Sequence, residues 1–381
     1  MRPLLITLFF LSFISVARAQ RAVYNYGNLQ LHKKGSIGFH TDLINDGGFD
    51  KNLGLVGFYN ESGQLSISGT FPPAFYDFEM AVENNLYLDL SIGICNSLNF
   101  IYGDIKTTRN NDNVYVELKD RAIYDGEHNS SKIDGNVAVL GQKEFNFPVG
   151  YDDILRPLQV RFIDGSFLAK CEYFHENPDN PDSFYESFDI KKRNISLGEI
   201  HTQEFWNLTT SGMVQIALNW GEEGSLPSSV SDIESITITG WNKKNKQWDN
   251  LGNAVVEGTT NEGLVKSNPF NANDYEIFTL GFLFDLEANK PGNYALTPNG
   301  DGINDAFTLK IMEQSPNNLL KIFNKEGRLV YEKTNYQNEF RGFANKNNGR
   351  NNQQLSQGVY FYILELKDLN QKYQGYFYLA N

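Results

Sequence analysis

Four oxygen-bearing side chains crowd one short stretch near the end of the chain. Asn299, Asp301, Asn304 and Asp305 lie within Thr297-Pro298-Asn299-Gly300-Asp301-Gly302-Ile303-Asn304-Asp305-Ala306-Phe307. Hard cations such as calcium take oxygen ligands at turn geometry, so calcium binding is one chemistry this loop offers. Asn and Asp also cap turns by accepting from nearby amides, and the terminal bidentate Glu of an EF-hand loop is missing, so turn capping is the simpler reading. Elsewhere the residue types are present without the spacing. The five histidines (His32, His40, His128, His175, His201) are scattered, with no His-Glu-x-x-His pair and no His/Cys grouping at zinc spacing. Each reads as a solvated or hydrogen-bonded side chain. There is no Gly-x-Ser-x-Gly elbow and no phosphate-cradling glycine loop after a strand. Asp152-Asp153 and Glu222-Glu223 are adjacent carboxylates, which point to opposite faces of a strand and form no acid/base pair, so both doublets read as solvated turns. No catalytic, cofactor or metal residue is therefore assigned, and the chain is expected to be non-enzymatic.

The elements that position the loop are β. Pro298 fixes φ, and Asn299-Gly300 and Asp301-Gly302 each supply a residue tolerating φ > 0, so two tight turns feed a strand. Strands are expected at 307–311, 319–323, 329–331, 359–366 and 376–379, with a turn at Lys325-Glu326-Gly327. That spacing suits a small Ig-like antiparallel sandwich.

The Thr297-to-Phe307 opening, the LLKIFNKEGRLVYE hairpin, the LSQGVYFYILEL strand pair and the terminal YQGYFYLA resemble the gliding-motility-associated (type B) C-terminal sorting domain. That family is carried by proteins exported through the type IX secretion system of Bacteroidota, and the resemblance covers residues 292–381. Such domains carry Trp-x-Gly between the hairpin and the last strand pair, where this chain has Phe340-Arg341-Gly342; Phe fills a similar apolar slot. The resemblance implies a motif comprising Thr297, Pro298, Asn299, Gly300, Asp301, Gly302, Ile303, Asn304, Asp305 and Phe307. It further implies a translocon that reads the domain and retention at an outer-membrane barrel of the PorP/SprF kind.

The other end agrees with export. Met1-Arg2 precede an apolar run at residues 4–16 and then Ala17-Arg18-Ala19, a small-x-small pattern cleaved between Ala19 and Gln20, so residues 1–19 are a signal peptide. The run is too short for a membrane-spanning helix, and no later stretch reaches that length. Removing the leader takes away Arg2 and Arg18 and no acid, moving the formal net charge from −13 to −15, which argues against nucleic acid and anionic lipid as partners. Cys95 and Cys171 could pair in an oxidising compartment, but Cys95 in Ile92-Gly-Ile-Cys-Asn reads as a buried small hydrophobe.

The remainder is cargo. Residues 20–147 carry short apolar alternations separated by Asn/Gly/Asp turns, which stack as rungs of an irregular β-solenoid or lie as a meander. Residues 148–284 hold longer strands and all four tryptophans (Trp206, Trp220, Trp241, Trp248), the mark of a β-sandwich core; as an exposed row they could instead stack on sugars. Residues 75–284 resemble a passenger arrangement common in secreted Bacteroidota proteins. The acidic, proline-broken stretch 175–182 reads as a surface contact loop, and 285–291 as a linker. The whole is expected to be an all-β, surface-displayed adhesion or scaffold protein, or an accessory subunit of a gliding-motility adhesin complex. A secreted glycan-binding module or polysaccharide-acting enzyme on the same route is the other reading.

Overall fold

The computed structural model describes residues 22–165, 167–221, 226–228, 230–285, 289–346 and 353–380. The leader, its Ala19/Gln20 cleavage site and Glu222-Glu223 lie outside the described residues. The fold is all-β, and the chain divides into two compact units, residues 1–140 and 141–381.

The first unit is a β-solenoid. Strands Ala22–Asn25, Asp42–Asn45, Leu65–Gly69, Leu86–Leu88, Ile105–Lys106 and Ile133–Asp134 stack in parallel as one sheet. Strands Ser36–Phe39, Leu55–Asn60, Ala74–Val82, Ile92–Tyr102, Val116–Lys119 and Val137–Leu140 stack as the other. Each turn of chain lays one strand on each sheet, so short strands share one core. The first sheet pairs Ala22 with Asp42, Leu43 with Ile67, Leu65 with Leu86, Leu86 with Ile105 and Ile105 with Ile133, offsets of 20, 24, 21, 19 and 28. Variable turn length, absorbed outside the sheets, is why the repeat is irregular in sequence. Inside, Phe39 stacks on Phe58 at 4.9 Å and Phe58 lies 5.8 Å from Phe78, an aromatic column running from rung to rung.

Asparagines hold the turns. Asn25 Nδ2 donates to Asn45 Oδ1 at 2.7 Å, and Asn45 Nδ2 donates to the carbonyls of Gly47 and Phe71 at 3.0 and 2.6 Å. Asn52 Nδ2 repeats the device on Phe49 and Ala74, at 3.0 and 2.8 Å. These side-chain amides tie the turn of one rung to the backbone of the next.

Cys95 is exposed, contrary to its expected burial, and both cysteines are free. Cys95 follows the buried Ile92 and Ile94 and so faces outward by plain alternation; the register shift between Phe75/Ile94 and Asp77/Ser97 leaves one extra residue at Cys95-Asn96, and both are exposed.

The architecture changes at residues 140/141 and not at 147/148, because Glu144–Phe147 pairs antiparallel with Leu158–Phe162 and so belongs to the second unit. Two antiparallel sheets follow. One runs Glu144–Phe147, Leu158–Phe162, Met213–Trp220, Gly263–Lys266, Val255–Gly258; the other runs Leu168–Phe174, Phe205–Thr210, Tyr275–Leu283, Ile236–Asn242, Gln247–Gly252. Asp152-Asp153 is the exposed turn between Gly150–Tyr151 and Ile154–Leu155. The stretch 175–182 lies at the surface with Asn177, Asn180 and Asp182 exposed, but Pro178 and Pro181 are buried.

Candidate functional site

The C-terminal part has its own sheet. Tyr294–Leu296 pairs in parallel with Gln371–Leu379, which pairs antiparallel with Gly358–Leu366, then Asn318–Phe323, then Leu329–Thr334. The inner face contributes Leu320, Ile322, Tyr362, Leu364, Phe377 and Leu379 to one core. Residues 307–311 do not form the expected strand: 307–309 are irregular and Lys310–Gln314 is a 3-10 turn. The alternation of Phe307, Leu309 and Ile311 is real, and all three are buried, but they reach the core from a covering segment and not from the sheet.

The Thr297-to-Phe307 motif is a self-capped loop. Asp305 accepts from the amides of Gly300 and Gly302 at 2.6 and 2.8 Å, which holds its carboxyl below the usual range. Asn299 Oδ1 accepts from the Asp301 amide at 3.0 Å, and Asp301 Oδ1 from the Ile303 amide at 2.7 Å. Gly300, Gly302 and Asn304 take φ of +82°, +86° and +54°, the conformations the turn sequence calls for. The side-chain oxygens of Asn299, Asp301 and Asp305 considered for calcium thus receive amide hydrogens, and no group of three or more His, Cys, Asp or Glu side chains placed to hold a metal occurs among the described residues. Ile303 stands exposed at the tip, while Phe307 is fully buried against Tyr362 and Phe377 at 5.1 and 5.0 Å.

Phe340 fills the slot expected for tryptophan. It is buried, lies 4.7 Å from Tyr331 and 5.9 Å from Phe377, and its carbonyl accepts from the Phe307 amide at 2.9 Å. Tyr336 completes this corner, donating its hydroxyl to the Phe307 carbonyl and accepting from the Phe340 amide. Burial pushes the Tyr336 phenol far up.

The outer face of the same sheet is apolar at one end. Phe323 pairs with Phe361 and Phe361 with Tyr376, while Val359 pairs with Tyr378. Val359, Phe361, Tyr376 and Tyr378 are 41, 48, 46 and 43% exposed. A groove of about 640 Å³ is lined by Phe361 and Tyr376 of this set, together with Phe323 and Ile363. At the other end, Lys372 pairs with Glu365 at 3.1 Å and Lys346 with Glu332 at 3.0 Å.

The four tryptophans do not form an exposed row. All are buried, and Trp206, Trp220 and Trp248 donate to the carbonyls of Arg156, Thr259 and Phe188 at 2.9, 2.8 and 3.1 Å. Sugar stacking through them is thereby removed.

A polar cluster missed in the sequence lies in the same core. Glu204 Oε2 accepts from Arg156 Nε at 3.0 Å and from the Tyr173 hydroxyl at 2.5 Å, and Tyr173 reaches His175 at 3.4 Å. His201 Nε2 stands 3.8 Å from Glu204 Oε1, and neither ring nitrogen has a hydrogen-bond partner among the described protein groups. His201, 1% exposed, is therefore not the solvated or bonded histidine expected. Burial first, then Arg156 and His175, lower its pKa to about 4, while burial raises the Glu204 carboxyl. These residues come from separate segments, so only the three-residue spacing of His201 and Glu204 could have signalled them. Arg156, Tyr173, His201 and Glu204 are buried, while His175 is half-buried at the edge of the cluster.

No match is found among curated proteins or among solved structures. No helix among the described residues is long and apolar enough to cross a membrane. Residues 290–379 match the CHU_C Type IX secretion signal domain. That match coincides with the separate sheet, its buried core and the self-capped loop, so the chain ends in a type IX secretion signal domain and is cargo exported by that route to the cell surface or the extracellular space.

Proposed function

We propose that the exported chain is a contact protein and not an enzyme: an adhesion or scaffold module, or an accessory subunit of a surface adhesin complex, held at the outer membrane through residues 292–381. The observation that carries this reading is the second, uncovered apolar face of the signal domain, which gives an exported β-protein a surface for staying attached. The enclosure of Arg156, Tyr173, His201 and Glu204 supports the non-enzymatic half, because these convergent titratable groups are closed to substrate. The expected envelope partner is a barrel of the PorP/SprF kind, with other adhesin subunits on the solenoid side. A role in gliding motility belongs to this reading, as does a cargo region whose task is contact. Calcium at Asn299, Asp301, Asn304 and Asp305 is no part of it, and an unchanged melting temperature with and without chelator is expected.

The test is fractionation of intact cells with surface crosslinking. The full chain is expected in the outer-membrane fraction, accessible to external protease and crosslinked to a barrel. Recovery of the mature chain wholly free in the medium, with no envelope crosslink, would contradict retention.

A further inference from the structure

The strand Gly358–Leu366 reads Val-Tyr-Phe-Tyr-Ile-Leu, apolar at both parities. A strand of an antiparallel sheet with one solvated face alternates apolar and polar, whereas an apolar run on both faces belongs to a strand covered on both sides. The inner parity, Tyr360, Tyr362 and Leu364, is covered by the domain's own core. The outer parity, Val359 and Phe361 with Tyr376 and Tyr378 across the pair, is not.

We infer that this aromatic face, and not the self-capped loop, is where the secretion machinery grips the domain, through a protein subunit that presents apolar side chains to Phe361, Tyr376 and Tyr378. The inference rests on the reading of residues 290–379 as a secretion signal, which requires a contact between this domain and that machinery. Charge selects the class of occupant. The chain carries −13, yet the ionic groups on this face are paired with each other, Lys372 with Glu365 and Lys321 with Glu332 at 3.9 Å. A neutral aromatic patch on an acidic protein suits an apolar partner and contact that is insensitive to salt. The loop offers less, since its polar groups are spent on its own backbone.

The experiment places Phe361→Thr with Tyr376→Thr, and separately Phe361→Lys with Tyr376→Lys, in the full chain expressed in its own secreting host. Threonine keeps strand propensity, so the first pair reports on contact if the lysine pair fails to fold. Both pairs are expected to lower export by about tenfold or more, the cost of losing central aromatic anchors, with the chain accumulating in the periplasm at an unchanged melting temperature. Glu365→Ala with Lys372→Ala, at the charged end of the same face, is expected to leave export unchanged. Normal export of the folded threonine pair, while deletion of residues 292–381 blocks export, would overturn this assignment and leave the signal reading intact. Normal export of the deleted chain would overturn the signal reading itself. Loss of a dimer by the threonine pair without loss of export would make the face a self-contact and would also overturn the assignment.

Discussion

Phe340 stands where the related domains carry tryptophan, and its surroundings show why the exchange is tolerated. Tyr331 and Phe377 close around the ring, and Gly342, at φ +82°, turns the chain away two residues later. Truncation is another matter: Phe340→Ala is expected to destabilise the domain by about 3–5 kcal/mol, read as a loss of melting temperature. His201 gives the second prediction at this scale. Its folded pKa lies at about 4, below its ordinary 6.5, so the stability it contributes is present above pH 6.5 and is lost as pH falls towards 4. Glu204, whose carboxyl is raised, works in the opposite sense, so the informative quantity is the difference between variants. His201→Gln is expected to flatten the fall in melting temperature between those pH values; an unchanged slope would assign it elsewhere. Phe340's place was legible from the Phe-x-Gly spacing. The Arg156, Tyr173, His201 and Glu204 cluster was not, because three-dimensional convergence across strands leaves no local pattern. Cys95 was misplaced for a simpler reason: an apolar run reads as buried throughout, whereas alternation turns Cys95 away from the buried Ile92 and Ile94.

At the scale of elements, turns and rungs were easier to read than strand boundaries. Asn/Gly/Asp turns between short apolar alternations announced stacked rungs, and the stack is held where Asn45 bridges to Asn25, Gly47 and Phe71. Asn45→Ala removes these three bonds, including the buried one to Asn25, at a cost of about 1–3 kcal/mol. Hydrogen exchange is expected to rise first in Ala22–Asn25 and Leu65–Gly69, while the sandwich keeps its protection. Uniform loss across both units would contradict a rung-local role. The segment 307–311 shows the limit of periodicity, since Phe307, Leu309 and Ile311 bury every second side chain without joining any ladder. Burial alternation therefore reports which side of a segment is covered, not what its backbone pairs with. In the loop before it, Asp305→Ala is expected to speed exchange at the Gly300 and Gly302 amides, because those are the hydrogens its carboxylate holds. Acid should do the same as pH falls through the depressed carboxyl range, and protection that survives both changes would mean the loop is held from elsewhere.

The whole molecule is a stack of rungs followed by sheets, with a signal domain at the end of the chain. The second unit contains both the sandwich and residues 290–379, yet the latter keep a sheet and a core of their own. An address label needs that self-sufficiency, since it must be read whatever cargo precedes it. The route was legible in the sequence because turn, hairpin and final strands occur together in order. The task of the cargo region was not, because its rungs and sheets carry no short motif with a fixed chemistry. The most direct measurement transplants residues 285–381, behind a signal peptide, onto an unrelated periplasmic reporter in a secreting host. The reporter is expected at the cell surface or in the medium. A stable fusion that stays in the periplasm would contradict the claim that the final sheet is a self-sufficient export signal.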